Sequence, residues 1–326
     1  LAWEQGNLDK TENLASEGLA SATGSSLLDE SRAGILVALT AVQAERGQLA
    51  AATSGLAEAE AIFKRLRNKR SHCVTLCNLA ELLLWQGELG EAHRKGSEAV
   101  DLARDVQYRV GETAALRVRA MALLDAGDLA NAGADLEQAL LISEEQGLPE
   151  EVVATRFLCG RLALRLDDAA ASVKHLRVGL EATSDGDPES YERLLQAMLA
   201  RALVMRGKTE EATALLMKME GTLNTVAVPR LTQILGVMAL AWKAAGNIEK
   251  ARLLARESAR TAVTRGFRLW ALTAQMVLAE VGEGEEAQYA HESAVTLARD
   301  LCRGLPDNLA QTFKTRHGIS DLLTGR

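Results

Sequence analysis

The sequence predicts an all-α protein, an α-α superhelix or solenoid of about eight stacked helical hairpins. Three observations carry that expectation. Ala, Leu, Glu and Arg dominate, and all are good helix formers, whereas aromatic residues make up only 3% and there are 4 prolines, too few to build large sheets or a loop-rich β protein. A Gly followed five residues later by Ala recurs at a near-constant interval along the chain. Apolar residues at helical spacing lead into each of those glycines.

The repeats run in order from the first residues. Gly6-Asn7-Leu8 is a weak copy, and of the starting helix only Leu1 to Gln5 remain. Gly47 leads to Ala52, Gly87 to Ala92, Gly127 to Ala132, Gly207 to Ala212, Gly246 to Ala251 and Gly282 to Ala287. Between Gly127 and Gly207 the unit reads Leu166-Asp167-Asp168 leading to Ala171, with the Gly lost. The steps are 41, 40, 40, 39, 41, 39 and 36 residues, a constancy chance does not produce.

Each unit reads as two helices. Leu76, Leu79, Ala80 and Leu83 precede Gly87; Leu116, Ala120 and Leu123 precede Gly127; Leu235, Met238, Ala239 and Trp242 precede Gly246. Spacings of three, four and seven mark one face of a helix. The Gly ends that helix in the left-handed conformation, and the following Asp, Glu or Asn caps the next. The Ala five residues on sits where the helices cross closely, so Ala92 and Ala132 are expected at tight crossings. A second stripe, such as Ala92, Gly96, Ala99 and Ala103, then runs to a polar turn like Asn68 to Ser71 or Ser184 to Pro188.

On the Leu/Ala/Gly stripe, the Gly before an acid or amide and the Ala five later, the chain resembles the tetratricopeptide repeat family. The resemblance covers Gly6 to about Arg303. The familiar unit is about 34 residues long; here it is about 40, and the expected Pro after the second helix is mostly missing. That departure looks like the long-repeat subclass of bacterial maltose-type ATP-dependent transcription activators and repeat-bearing serine/threonine kinases. There the repeats form a regulatory domain beside an ATPase, kinase or DNA-binding domain. The division expected is a repeat array over 1–304, its first repeat truncated, and a tail or capping segment over 305–326. The truncated start suggests a piece of a longer protein. The resemblance implies an elongated right-handed superhelix with a concave groove, held by contacts between neighbouring repeats.

Several function classes are set aside by composition and motif. A net charge of -7 disfavours a nucleic-acid binder, and no apolar run reaches the ~20 residues of a membrane helix. No phosphate loop, kinase signature, zinc-protease helix or nucleophile elbow occurs, so no enzyme and no cofactor is expected. Cys73, Cys77, Cys159 and Cys302 fit reduced, buried residues of a cytoplasmic protein rather than a disulfide framework. In His72-Cys73-(three residues)-Cys77 the two thiols share a helix face, but with no second Cys/His pair nearby no metal site is expected. The basic run Lys64 to Arg70 reads as a solvated helix end, with docking to an acidic partner as the alternative.

The resemblance places the groove on the first helix of each hairpin. Counting back from each repeat Gly gives Asn78, Glu81 and Trp85; Arg117 and Met121; Arg156 and Phe157; Met198 and Arg201; Gln233 and Lys243. Arg117, Arg156, Arg201 and Lys243 place one cation on each of four repeats of an acidic chain, beside Met, Trp and Phe. Such a surface suits an extended peptide with carboxylates. The function expected is a non-catalytic interaction module binding an acidic protein segment in its groove, within a bacterial signalling protein. The alternative is a sensor that binds a small effector and controls an attached ATPase, kinase or transcription-regulator domain.

Overall fold

The computed structural model describes residues 8–21, 28–183, 189–223, 226–316 and 318–324, and every element among them is helical. Helix α1 (Leu8–Ser21) is followed by seven hairpins, with Gly6 and the remains of the first helix lying outside the described residues. The hairpins pair α2 (Asp29–Glu45) with α3 (Leu49–Arg65), α4 (Lys69–Gln86) with α5 (Leu89–Asp105), and α6 (Arg109–Ala126) with α7 (Leu129–Glu145). They continue as α8 (Pro149–Arg165) with α9 (Ala169–Glu181), α10 (Glu189–Met205) with α11 (Thr209–Glu220), and α12 (Val228–Ala244) with α13 (Ile248–Arg265). The last pairs α14 (Arg268–Val281) with α15 (Gly284–Arg303), before the short α16 (Asp307–Thr315) and α17 (Ile319–Thr324). No helix among the described residues is long and apolar enough to cross a membrane.

The repeat turn shows why the unit recurs. Gly127 takes φ +92° at the end of α6, so its N–H and that of Asp128 can close onto Leu124 O and Leu123 O. Asp128 Oδ1 then accepts from Asn131 N at 3.2 Å and caps α7. Asn68, Asp168 and Asn247 cap α4, α9 and α13 in the same way. Where the Gly is lost, Asp167 itself adopts φ +58°. The small crossing residue is therefore Ser172, five after Asp167, and not Ala171: Ser172 is fully buried and donates to Gly160 O at 2.9 Å, while Ala171 is half-buried. In the last hairpin Gly282 is extended, with φ -73° and ψ 171°, and the buried alanine is Ala290 instead of Ala287. Ala52, Ala92, Ala132, Ala212 and Ala251 are all fully buried at their crossings.

Successive first helices α4, α6, α8, α10, α12 and α14 touch one another and form the inner layer. Contacts are not confined to neighbouring repeats, as a simple open solenoid would require. Helix α14 also packs on α4, α16 on α6 and α12 on α2. The chain has wound far enough for its late helices to meet its early ones.

Glycines sit at this seam: a Cβ on Gly90 would lie 2.0 Å from Gly304 O, and one on Gly127 would lie 2.9 Å from Thr312 O. Trp85 of α4 stacks with Phe267 and Trp270 at ring-centroid distances of 6.4 and 5.8 Å, and Arg268 bonds Glu88 at 2.8 Å. The accessible surface of 15,103 Å² exceeds the ~13,000 Å² of a compact monomer of this mass, so the coil keeps an open interior.

Candidate functional site

The inner layer encloses a cavity of about 490 Å³. Its wall comes from α4, α6, α8, α10, α12 and α14, and it is closed on one side by Arg316 and Gly318 from the tail. The lining mixes apolar side chains, among them Leu84, Val237, Leu240 and Trp270, with a run of cations. The size falls in the range of pockets that bury small ligands, roughly 300–1,000 Å³.

Of the residues singled out in the sequence, Trp85, Met121, Met198, Arg201, Gln233 and Lys243 lie on this wall. Lys243 is neutralised there by Glu280. The others do not line it. Asn78 is exposed on α4, outside the wall. Glu81 is engaged with Arg230 at 3.3 Å, and Arg117 donates to Glu151 at 2.9 Å between α6 and α8. Arg156 faces the second-helix layer: it reaches Glu144 of α7 at 2.7 Å and His175 Nδ1 of α9 at 3.2 Å. Phe157 is core, 3% exposed, with the Arg161 guanidinium 5.9 Å from its ring. The four cations taken together in the sequence thus face three different surroundings.

The turn residue sets the register of the wall positions on α8. Six residues before the left-handed turn residue stand Glu81, Met121 and Arg201, counted from Gly87, Gly127 and Gly207. With Asp167 as the turn residue, the equivalent position is Arg161, which lines the cavity. Two residues before the turn stand Trp85, Asp125, Arg165 and Met205, all on the wall. The missed residues Arg161, Arg165 and Asp125 were therefore legible as columns, once the lost Gly is replaced by Asp167 rather than Leu166.

Two charged groups occupy the interior. Arg230 of α12 bonds Glu81 of α4 and the Tyr191 hydroxyl of α10 at 3.2 Å, and its guanidinium lies 4.7 Å from the Tyr191 ring. Glu45 of α2 belongs to the same group: burial raises its pKa, Arg230 opposes the rise and Glu81 adds to it. The second group gathers Arg161, Arg165, Arg201 and Arg316 around a single acid, Asp125. Arg161 pairs with Asp125 at 2.7 Å. Arg165 and Arg316 each donate to a carbonyl at the end of α6, Leu124 O at 3.3 Å and Asp125 O at 3.1 Å. Burial, joined by repulsion from its neighbours, draws Arg165 down to about 9 and Arg201 down to about 10.

Elsewhere, Glu60, His72 and Glu98 bring three ligand atoms within 4.8 Å of one another. The Lys95 ammonium is bonded to both Glu60 oxygens at 2.6 Å, so that site already holds its cation. The basic run is engaged with its neighbours: Arg65 pairs with Asp29, Lys69 with Asp105, and Arg70 lies over Tyr108. All four cysteines are free thiols, and the Cys73 thiol points at Ala99 O, 3.5 Å away.

No family model matches the chain, and no curated protein matches it in sequence. Solved structures do match in fold. A Rap protein complexed with Competence and Sporulation Factor superposes with a TM-score of 0.69 at 15% identity, over 92% of this chain and 80% of that one. The Rap conjugation gene regulator of plasmid pLS20, in complex with the Phr peptide, gives 0.65 at 13% identity over 82% and 74% of the two chains. The apo form of RapI gives 0.57 at 12% identity over 92% and 82%. The fold is thus a tetratricopeptide-like solenoid of the kind seen in these regulators.

Proposed function

We propose that the chain is a non-catalytic regulatory module that binds a short protein segment inside its superhelix. The observation that carries this reading is the cavity of about 490 Å³ walled by successive first helices, where apolar side chains such as Leu84, Val237, Leu240 and Trp270 stand beside Arg161, Arg165 and Arg201. Two of the regulators with this fold hold a peptide or a factor in their structures, which supports a short protein segment as the ligand here. An acidic character for the segment follows from Arg161, Arg165 and Arg201 on the wall. A cytoplasmic setting fits four free thiols.

Binding of a library of short peptides, read by the fluorescence of Trp85 and Trp270, tests the reading. Leu240→Trp fills the cavity and should abolish any binding found, with helicity unchanged. Binding that survives Leu240→Trp would place the recognition surface elsewhere.

The second reading, a sensor of a small effector that controls an attached ATPase, kinase or transcription-regulator domain, draws on the same volume. It is favoured by the tail's Arg316 and Gly318, which add a further wall to the cavity. A metabolite that competes with all bound peptides, and binds more tightly than any of them, would select it.

A further inference from the structure

The arginine cluster is out of balance in a way the rest of the molecule avoids. Four guanidiniums share one carboxylate, and that carboxylate is taken by Arg161. Arg165 and Arg316 receive one main-chain carbonyl each. Arg201 has neither a hydrogen bond nor an ion pair among the described residues, although it shares the cavity wall with Arg161 and Arg316, which repel it. Arg201 is half-buried, and a partly desolvated charge without a partner is unfavourable unless something external compensates it. Three guanidiniums without a carboxylate ask for more than one negative charge. Their planar donors match oxygens held in pairs.

The cluster is also assembled from distant parts of the chain. Arg161 and Arg165 come from α8, Arg201 from α10 and Arg316 from the residue after α16. The tail reaches this place through three contacts on the last turn of α6: Arg316 to Asp125 O, Thr312 to Ala126 O at 3.0 Å, and the close approach of Thr312 O to Gly127. Those carbonyls are the negative end of a helix, which attracts the tail's cation. Arg161, Arg165 and Arg201 repel it. The seam is therefore held by opposed forces.

We propose that Arg161, Arg165, Arg201 and Arg316 form a site for one dianionic group, a phosphate or a close pair of carboxylates, whose binding fastens the C-terminal tail across the superhelix. The site goes beyond the segment-binding reading, because it recognises the group whether or not a peptide carries it. Occupation cancels the repulsion on Arg316 and lets the four guanidiniums share oxygens, which draws α8, α10 and the tail together. The segment that fills the apolar part of the cavity and the anion that closes it would then act jointly.

The probes are inorganic phosphate and succinate, each compared with chloride at matched ionic strength, on the full chain. Calorimetry should show saturable binding of one equivalent of at least one of them. Hydrogen exchange should show added protection over residues 307–316. Phosphate alone would identify a phosphoryl group as the source, and succinate as well would identify paired carboxylates.

Arg201→Met separates this site from a structural role. It removes an uncompensated cation, so the free protein should melt at a higher temperature, while binding of the anion weakens by at least about tenfold. Arg177→Gln, on the exposed face of α9, removes the same charge from the chain and should leave binding unchanged. Binding of neither anion to the wild type, or an anion-induced rise in melting temperature that persists in Arg201→Met, would overturn the site. Neither result touches the segment-binding reading, which stands or falls on Leu240→Trp.

Discussion

The two charged groups inside the superhelix are built from the same kinds of residue and come out differently. Around Arg230 and Arg117 stand Glu45, Glu81 and Glu151, with the Tyr191 hydroxyl completing the hydrogen bonds. Around Asp125 stand four arginines. The first group spans α2, α4, α6, α8, α10 and α12 with each arginine paired to a carboxylate, which is what a buried polar network needs to contribute to a unique structure. The second leaves donors facing a cavity. Matched charge marks structure, and charge left unmatched beside a void marks a place kept for something that arrives. Arg230 and Arg201, both arginines of the inner layer, therefore carry opposite expectations on replacement.

The largest effect expected is at the matched site. Arg230→Met removes the cation that Glu81 and Glu45 share and leaves two carboxylates facing each other in the interior. The loss should be about 3–5 kcal/mol of unfolding free energy, read from urea denaturation. A loss below about 1 kcal/mol would show that water reaches these acids and that the network is no more structural than the arginine cluster. Set beside the gain expected from Arg201→Met, the pair of variants measures the contrast directly.

The next effect breaks the seam that brings the regions together. Gly90 approaches Gly304 so closely that a methyl group cannot be accommodated without moving the main chain. Gly90→Ala should cost about 1–3 kcal/mol, the range for overpacked sites. It should also loosen residues 305–316 in hydrogen exchange without loosening α2 or α12. If protection falls evenly over the whole chain, the two turns of the superhelix do not open separately.

These contacts explain what the sequence could and could not say. Repeat length, helix pairing, left-handed Gly turns and buried alanines such as Ala92 and Ala132 are local, so periodicity reveals them. The wall positions are also periodic, and Trp85, Met121, Met198 and Arg201 follow from counting back from a Gly. Where Asp167 replaces the Gly, the column six residues before the turn reaches Arg161 only once Asp167 is taken as the turn residue. Arg156 stands ten residues before Leu166 and Arg117 ten before Gly127, and both pair with neighbouring acids instead of lining the cavity. Nothing local foretells that Arg316 meets Asp125 across 191 residues, or that Trp85 meets Phe267. Such contacts depend on the pitch of the superhelix, the sum of many small rotations between repeats.

A smaller change sharpens the role of the tail. Thr312→Val keeps the shape of the side chain and removes its bond to Ala126 O. A loss of about 1 kcal/mol is expected, concentrated in the exchange of α16. Because the tail carries Arg316, the variant should also weaken phosphate binding while leaving Arg201 in place. Unchanged phosphate affinity would separate the seam from the anion site.

The smallest effect is at Glu45, and there the sign matters more than the size. Its pKa is raised, chiefly by burial, with Arg230 pulling the other way and Glu81 reinforcing the rise. A carboxyl whose folded pKa lies above its unfolded value stabilises the fold when protonated. That contribution is complete below the unfolded pKa and is lost as pH rises through the folded one. Glu45 is thus the one surplus acid in a group of three acids and two arginines, the counterpart of Arg201 among the bases. Glu45→Gln should raise the denaturation midpoint at neutral pH, and the gain should vanish as the wild type is acidified through the Glu45 titration. Added salt or polyamine should not reproduce the gain, whereas phosphate should stabilise the protein through Arg201. A Glu45→Gln variant less stable than wild type at neutral pH would mean that Arg230 needs all three acids, and the matched group would then be balanced more tightly than its charges suggest.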